Sequence, residues 1–197
     1  MKKFTLCLIF LLISISLFAA PFGLSMGMSL NLVKITCGGR EPVLIKDGIY
    51  RIVPAKQHPY FENYYAWIDP VKGLNYIKAI GKDIETSSYG IDVKSKFSYL
   101  EDGISKTYGK CQRTDYLMYD SIWDEPRDWM SALKNDDRYL FSIWDASTNA
   151  TLKDSITSIF LSAEAEDSNT GYIILEYEFK NHDAVQKEKE SKDLEAF

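Results

Sequence analysis

The sequence predicts an α+β domain, in which a mainly antiparallel sheet of about six to seven strands carries two to three helices packed on one face. Apolar residues recur every three or four positions between 93 and 108, as in an amphipathic helix. They alternate with polar residues between Tyr172 and Phe179, as in a strand with one buried face. Predicted strands also follow one another in runs instead of alternating with helices, which favours an antiparallel sheet.

The first half of the domain begins with a short helix and continues as strands. Ser29 is the expected cap of a helix that ends at Gly38 and Gly39, because serine favours the N-terminal end and glycine the C-terminal end. Aromatic and β-branched residues between turn residues then predict three strands. These strands are Ile49–Val53, Tyr64–Ile68 and Leu74–Ile80.

The second half contains two more helices and ends in a hairpin. Asp92 is the expected cap of a long helix that stops at Gly109, and Pro126 opens a shorter helix that runs to about Leu133. The predicted strands are Arg113–Tyr119, Tyr139–Trp144, Ile156–Ala165 and Tyr172–Phe179. The last two are joined by a polar turn and are expected to form the hairpin.

The N-terminus has the pattern of a secretory signal peptide. Two lysines precede an apolar run from Phe4 to Phe18, and Ala19 and Ala20 follow as a cleavage site. An uncleaved anchor is the alternative, but the run is shorter than the ~20 residues of a spanning helix. We therefore expect an exported protein, periplasmic or extracellular, with no stable membrane anchor after cleavage. The predicted organisation is a signal peptide at 1–19, a single α+β domain at 20–181 and a charged C-terminal tail at 182–197.

The composition is that of a folded, acidic protein. Aromatic residues make up 14% of the chain, which is far above the content of disordered segments. Residues 20–110 contain 12 basic and 9 acidic side chains, whereas residues 111–197 contain 9 basic and 19 acidic ones. Binding to nucleic acid needs clustered lysine and arginine, so the acidic half argues against that class of partner. A basic partner or cations fit it, but a solvated acidic surface is the simpler explanation.

Two cysteines, Cys37 and Cys111, lie outside the predicted signal peptide. In an oxidising compartment an even pair predicts a disulfide, which would close a long loop and stabilise the fold by about 4 kcal/mol. The alternative is that Cys37, on the apolar side of its helix, is an ordinary buried thiol. The chain has no CxxC motif and only two histidines, so we expect neither a metal site nor a cofactor.

The segment Phe22–Leu30 has the pattern F-G-hydrophobic-x-x-G-M-[ST]-hydrophobic. In physical terms Gly27 permits a tight entry, Met28 packs the lead-in against the helix, and Ser29 caps that helix. This opener resembles that of small exported bacterial proteins, and is loosely similar to SmpA/OmlA-type envelope proteins and β-lactamase-inhibitor-like modules. The resemblance implies binding or interaction with the cell envelope, and it supplies no active-site residues.

Three carboxylates are the candidate catalytic residues. Asp124, Glu125 and Asp128 lie between Trp123 and Trp129, whose rings could stack on a sugar. Acid–base hydrolysis of a glycosidic bond needs two carboxyl groups in one cleft, one of them with a raised pKa. The alternative is structural, with Asp124 capping the following helix and Glu125 interacting with its positive end.

Aromatic side chains supply the candidate binding residues, four of which fall between positions 60 and 65. Such side chains combine a large apolar area with a polar tip and are enriched at binding sites. Strands favour the same residues, so a place in the sheet core is the alternative explanation. The predicted binding residues are Tyr60, Phe61, Tyr64, Tyr65, Trp123 and Trp129.

These observations favour a non-catalytic module that binds a protein or a small ligand in the envelope through an aromatic loop or a sheet face. Two alternatives stay open: a small extracytoplasmic hydrolase that uses the acidic residues near 124–128, and an envelope-assembly or structural factor. An enzyme predicts a cleft with convergent polar groups, whereas a binding module predicts a large exposed apolar patch.

Overall fold

The computed structural model describes residues 20–194, so the predicted signal peptide and residues 195–197 of the predicted tail lie outside the described residues. This part of the chain forms four α-helices, which are α1 Leu30–Thr36, α2 Ile91–Tyr108, α3 Trp129–Lys134 and α4 His182–Leu194. Its strands are β1 Val43–Lys46, β2 Ile49–Ile52, β3 Phe61–Asp69, β4 Gly73–Gly81, β5 Ile84–Glu85, β6 Gln112–Leu117, β7 Arg138–Trp144, β8 Ile156–Ala165 and β9 Thr170–Phe179. Short 3-10 turns lie at Pro21–Gly23, Pro126–Asp128 and Ala146–Thr148.

All nine strands belong to one antiparallel sheet, with the order β1-β2-β3-β4-β9-β8-β7-β6 and β5 paired to β9. The α+β class and the antiparallel sheet are therefore confirmed, but the sheet is larger than the predicted six to seven strands. The two additional strands give little signal in the sequence. All four residues of β1 are exposed, so they show no alternation, and β5 has only two residues.

The sheet buries one face against helices. On β9, Ile173, Leu175, Tyr177 and Phe179 are buried, while the residues between them are half-exposed. Residues of α1, α2 and α3 join the same core, for example Val33, Phe97 and Met130. These three helices share one core, but the structure has four helices and not the predicted two to three.

The fourth helix, α4, lies against the other face. Register places Tyr76 opposite Trp67 and Glu178, on the side away from the buried Ile77. The His182 ring packs on Tyr76 with 4.9 Å between the ring centroids. Val185 in the next turn is 2% exposed, so the first turns of α4 are docked and not fully solvated. Among the described residues, no helix is both long and apolar enough to cross a membrane.

Most of the helix ends that were predicted from the sequence are found in the structure. The Ser29 hydroxyl accepts a hydrogen bond from the Leu32 N–H at 3.3 Å, which confirms the predicted cap of α1. Helix α2 stops at Gly109, also as predicted. Its predicted cap is wrong, because Gly90 in a left-handed conformation precedes the helix and Asp92 lies in the first turn.

The predicted disulfide is wrong, since Cys37 and Cys111 are both free thiols. Cys37 ends α1; burial raises the pKa of its thiol, and the nearby backbone of Val53, beyond the end of β2, lowers it in part. Cys111 precedes β6, the strand at the opposite edge of the sheet. Strands β2 and β6 are six places apart in the sheet order, and each place adds about 4.8 Å, whereas bridged cysteines have Cα atoms within about 7 Å.

Candidate functional site

The 3-10 turn at the start of the described chain brings Phe22 onto the buried face of the sheet. Its ring centroid lies 4.9 Å from that of Tyr64, 5.9 Å from that of Tyr177 and 6.3 Å from that of Phe61. All three pairs are edge-on, which is a favourable arrangement of aromatic quadrupoles. We call these four residues the aromatic cluster; they unite the N-terminal turn, β3 and β9.

A cavity of about 460 Å³ lies between the aromatic cluster and α2, and we call it the aromatic cavity. The buried face of β9 forms one wall, and the 3-10 turn forms a second. Helix α2 forms the third wall with residues that lie one turn apart, among them Tyr99, Gly103 and Thr107. The apolar lining includes Phe22, Phe61, Leu100, Ile104, Leu175 and Tyr177.

His58 contributes an imidazole to the wall of this cavity. Its Nδ1 accepts a hydrogen bond from the Tyr60 N–H at 3.3 Å. The Tyr64 hydroxyl accepts from the His58 N–H at 2.9 Å and lies 3.3 Å from the His58 carbonyl, to which it donates. Burial lowers the pKa of His58, so the imidazole is held neutral with its Nδ1 as an acceptor.

Three of the phenols around the cavity are also neutral. Burial raises the pKa of Tyr64 and Tyr177, and it raises the pKa of Tyr108 to about 12. The polar groups at the rim are Asp102, Lys106 and Thr107 on α2. The cavity is therefore mostly apolar, with few charged groups, and it suits an apolar or amphipathic molecule more than a polar one.

Three of the six predicted binding residues lie at or beside this site. Phe61 lines the cavity, Tyr64 belongs to the aromatic cluster, and Tyr60 packs edge-on against Tyr99 with 5.4 Å between the ring centroids. Tyr65 lies on the other face of the sheet, because it alternates with the buried Tyr64. The structure thus divides the predicted aromatic loop between the two sides of β3.

The two predicted tryptophans lie elsewhere. Trp129 is 4% exposed and packs on Gly90, where a Cβ atom would come within 2.2 Å of the indole ring. The ammonium of Lys94 lies 4.3 Å above its ring centroid. Trp123 is half-exposed, and its backbone N–H donates to the Ser121 hydroxyl. Neither indole lines the aromatic cavity.

The predicted catalytic carboxylates do not line this cavity either. Asp124 and Glu125 are exposed, and Glu125 forms an ion pair with Arg127 at 2.9 Å. Asp128 is half-exposed and precedes α3, where its side chain makes no capping hydrogen bond. Among the described residues, no group of three or more metal-ligating side chains is arranged to hold a metal ion.

Several residues of the site were missed by the sequence reasoning. Phe22, His58 and Tyr177 come from separate segments, and only the tertiary fold brings them together. One signal was available on α2, because Tyr99, Gly103 and Thr107 are spaced by four and so share one face of the predicted helix.

Comparison with protein-family models, with curated proteins and with solved structures found no match to this chain.

Proposed function

We propose that the chain is a non-catalytic exported module that binds a small apolar or amphipathic ligand in the aromatic cavity. The observation that carries this proposal is the cavity itself. Its volume of about 460 Å³ falls within the range of roughly 300–1,000 Å³ that is usual for small-molecule sites. Its walls are mainly aromatic and aliphatic, and a few polar groups lie at the rim.

A glycine in the middle of α2 supports the proposal. Gly103 lines the cavity, and no heavy atom lies within 4 Å of the position a Cβ would occupy. Glycine inside a helix costs about 1 kcal/mol relative to alanine, and here no close packing requires it. A long side chain at this position would project into the open space, so the glycine keeps the mouth of the cavity wide.

The acidic segment at 124–128 gives the hydrolase alternative less support. Two carboxyl groups on opposite sides of a substrate must share a cleft, and burial must keep one of them protonated. Asp124 and Glu125 are instead exposed, and Glu125 is paired with Arg127. Binding in the aromatic cavity requires no such pair.

Titration with the neutral fluorescent probe N-phenylnaphthylamine tests this function on the protein purified after export under its own leader. We expect saturable binding that Gly103→Leu weakens about tenfold or more, because a leucine at the mouth takes up cavity volume. Gly103→Ala is the matched control and should bind like the parent chain. Thermal unfolding of both variants shows whether they are folded. Unchanged binding by a folded Gly103→Leu, or no saturable binding by the parent, would overturn the proposal.

A further inference from the structure

A second cavity of about 260 Å³ adjoins the aromatic cavity. Leu100 lines both, so the two cavities meet at this residue of α2. The floor of the second cavity continues along β9 at Ile173, two residues before Leu175 in the first. Its remaining lining has a different character, because it includes three charged residues, Lys82, Asp83 and Lys96.

Lys96 is held in place at this second cavity. Its ammonium lies 3.6 Å from the centroid of the Tyr60 ring, which is a close cation–π contact. The Tyr60 ring is itself packed edge-on against Tyr99 at the border of the aromatic cavity. Lys96 is half-buried, so its position is set by these contacts and not by solvent alone.

The charge of Lys96 is not neutralised by a neighbouring carboxylate. Within residues 20–194, the seven ion pairs closer than 4 Å include neither Lys96 nor Lys82. Asp83 lines the same cavity but is exposed and lies beyond ion-pair distance of both lysines. An ordered, unpaired ammonium beside an apolar cavity is suited to an anionic group.

We infer that the ligand is a single-chain anionic amphiphile, with its apolar chain in the aromatic cavity and its anionic head against Lys96 and Lys82. This inference rests on the proposed function and names the ligand class of the same site. From Lys96 to Thr107 the helix advances about 16 Å, so the two cavities together form an elongated site. A carboxylate head accepts charge-assisted hydrogen bonds from a lysine ammonium, and these are stronger than the bonds that a neutral hydroxyl head accepts.

Displacement of N-phenylnaphthylamine by dodecanoate and by dodecanol tests the charge requirement. We expect dodecanoate to displace the probe at about tenfold lower concentration than dodecanol. Lys96→Gln should remove most of this difference and leave displacement by dodecanol unchanged. Lys96→Arg should retain it, since the cation and its contact with Tyr60 remain. Lys110→Gln removes an exposed lysine that lies just beyond the end of the same helix and lines neither cavity. It is the matched control and should behave like the parent chain.

The outcomes separate the two proposals. If dodecanoate and dodecanol displace the probe equally, or if Lys96→Gln and Lys82→Gln both leave the preference intact, the anionic head is wrong while the binding function stands. If neither compound displaces a probe that binds saturably, the amphiphile is wrong while the binding function stands; if the parent chain does not bind the probe at all, the binding function itself fails. Sedimentation with phosphatidylglycerol vesicles tests the single-chain assignment. Protein that stays in the supernatant supports a free amphiphile, and protein that pellets with the vesicles overturns it.

Discussion

The carboxylate of Glu101 on α2 accepts a hydrogen bond from the Arg113 guanidinium on β6 at 2.8 Å. The same carboxylate accepts a hydrogen bond from the Ser142 hydroxyl on β7, and the Cys111 thiol lies 3.5 Å from it. Only 12% of the Glu101 side chain is exposed, and Ser142 is fully buried. One side chain therefore ties α2 to the two strands at this edge of the sheet.

Removing this carboxylate should destabilise the fold. We expect Glu101→Ala to lower the free energy of unfolding by about 2 kcal/mol, because it leaves the buried Ser142 hydroxyl without its acceptor and unpairs Arg113. Urea denaturation at neutral pH measures the loss. Asp102→Ala, at the next and exposed position of the same helix, should change stability by less than about 0.5 kcal/mol. Similar losses in the two variants would contradict a tethering role for Glu101.

The sequence predicted those helices and strands whose buried residues recur at regular spacing along the chain. On α2, Val93, Phe97, Leu100 and Ile104 recur at helical spacing and are buried in the structure. Strand β9 alternates in the same regular way. Strand β1 could not be found by this reasoning, because its stability comes from backbone pairing with β2 while its side chains stay exposed. The face on which α4 docks depends on contacts such as His182 with Asn75, which are 107 residues apart.

The site could be predicted only in part for the same reason. Phe61 and Tyr64 were identified because aromatic residues cluster between 60 and 65, and that cluster is visible in the sequence. Its partners Phe22 and Tyr177 lie far from it along the chain, so no local pattern connects them. The disulfide was predicted wrongly for the same reason, because an even number of cysteines does not show whether the two lie close together in the folded sheet.

The segment between the N-terminal turn and α1 lies against β4 through a close approach of two glycines. Gly73 has a left-handed backbone (φ 69°), and a Cβ there would lie 2.3 Å from the Gly27 carbonyl oxygen. Next to it, the Gly27 N–H donates to the Leu74 carbonyl at 2.8 Å. We expect Gly73→Ala to lower the free energy of unfolding by about 3 kcal/mol and to weaken probe binding, because it displaces the segment that follows the turn carrying Phe22.

Gly39→Ala is the matched control for this substitution. Gly39 has a similar backbone (φ 78°), but no atom lies within 4 Å of its Cβ position. Its cost should be limited to conformational strain of about 1 kcal/mol, with probe binding unchanged. Urea denaturation measures both variants. Equal costs would show that the contact with Gly27 is unimportant.

Two histidines should make the fold sensitive to mild acid. Burial lowers the pKa of His58 and of His182 in the folded state below the value in the unfolded chain, which is about 6.5. The unfolded state therefore binds more protons as the pH falls through about 6.5, so stability decreases there and is unaffected at higher pH. Urea midpoints measured from about pH 7.5 to about pH 5.5 should fall. The double variant His58→Gln, His182→Gln should show a smaller fall, and an equal fall would refute the assignment.

The two free thiols should differ in their reaction with iodoacetamide. Cys37 is 1% exposed and should be protected in the folded protein. Cys111 is half-exposed, but burial and then the Glu101 carboxylate raise its pKa, so it should react more slowly than an unperturbed thiol. Mass spectrometry of a chain that starts at Ala20, and so lacks Cys7, should show one adduct, at Cys111, under native conditions.

Unfolding in urea without reductant should then give two adducts, because neither sulfur is bonded to another. Glu101→Gln removes the neighbouring negative charge, so it should lower the pKa of Cys111 and speed its native reaction at about pH 8. Glu85→Gln, a distant exposed position, serves as the charge-matched control. If the unfolded chain took up label only after reduction, the cysteines would be paired after all. If Glu101→Gln left the native rate unchanged, the carboxylate would not control this thiol.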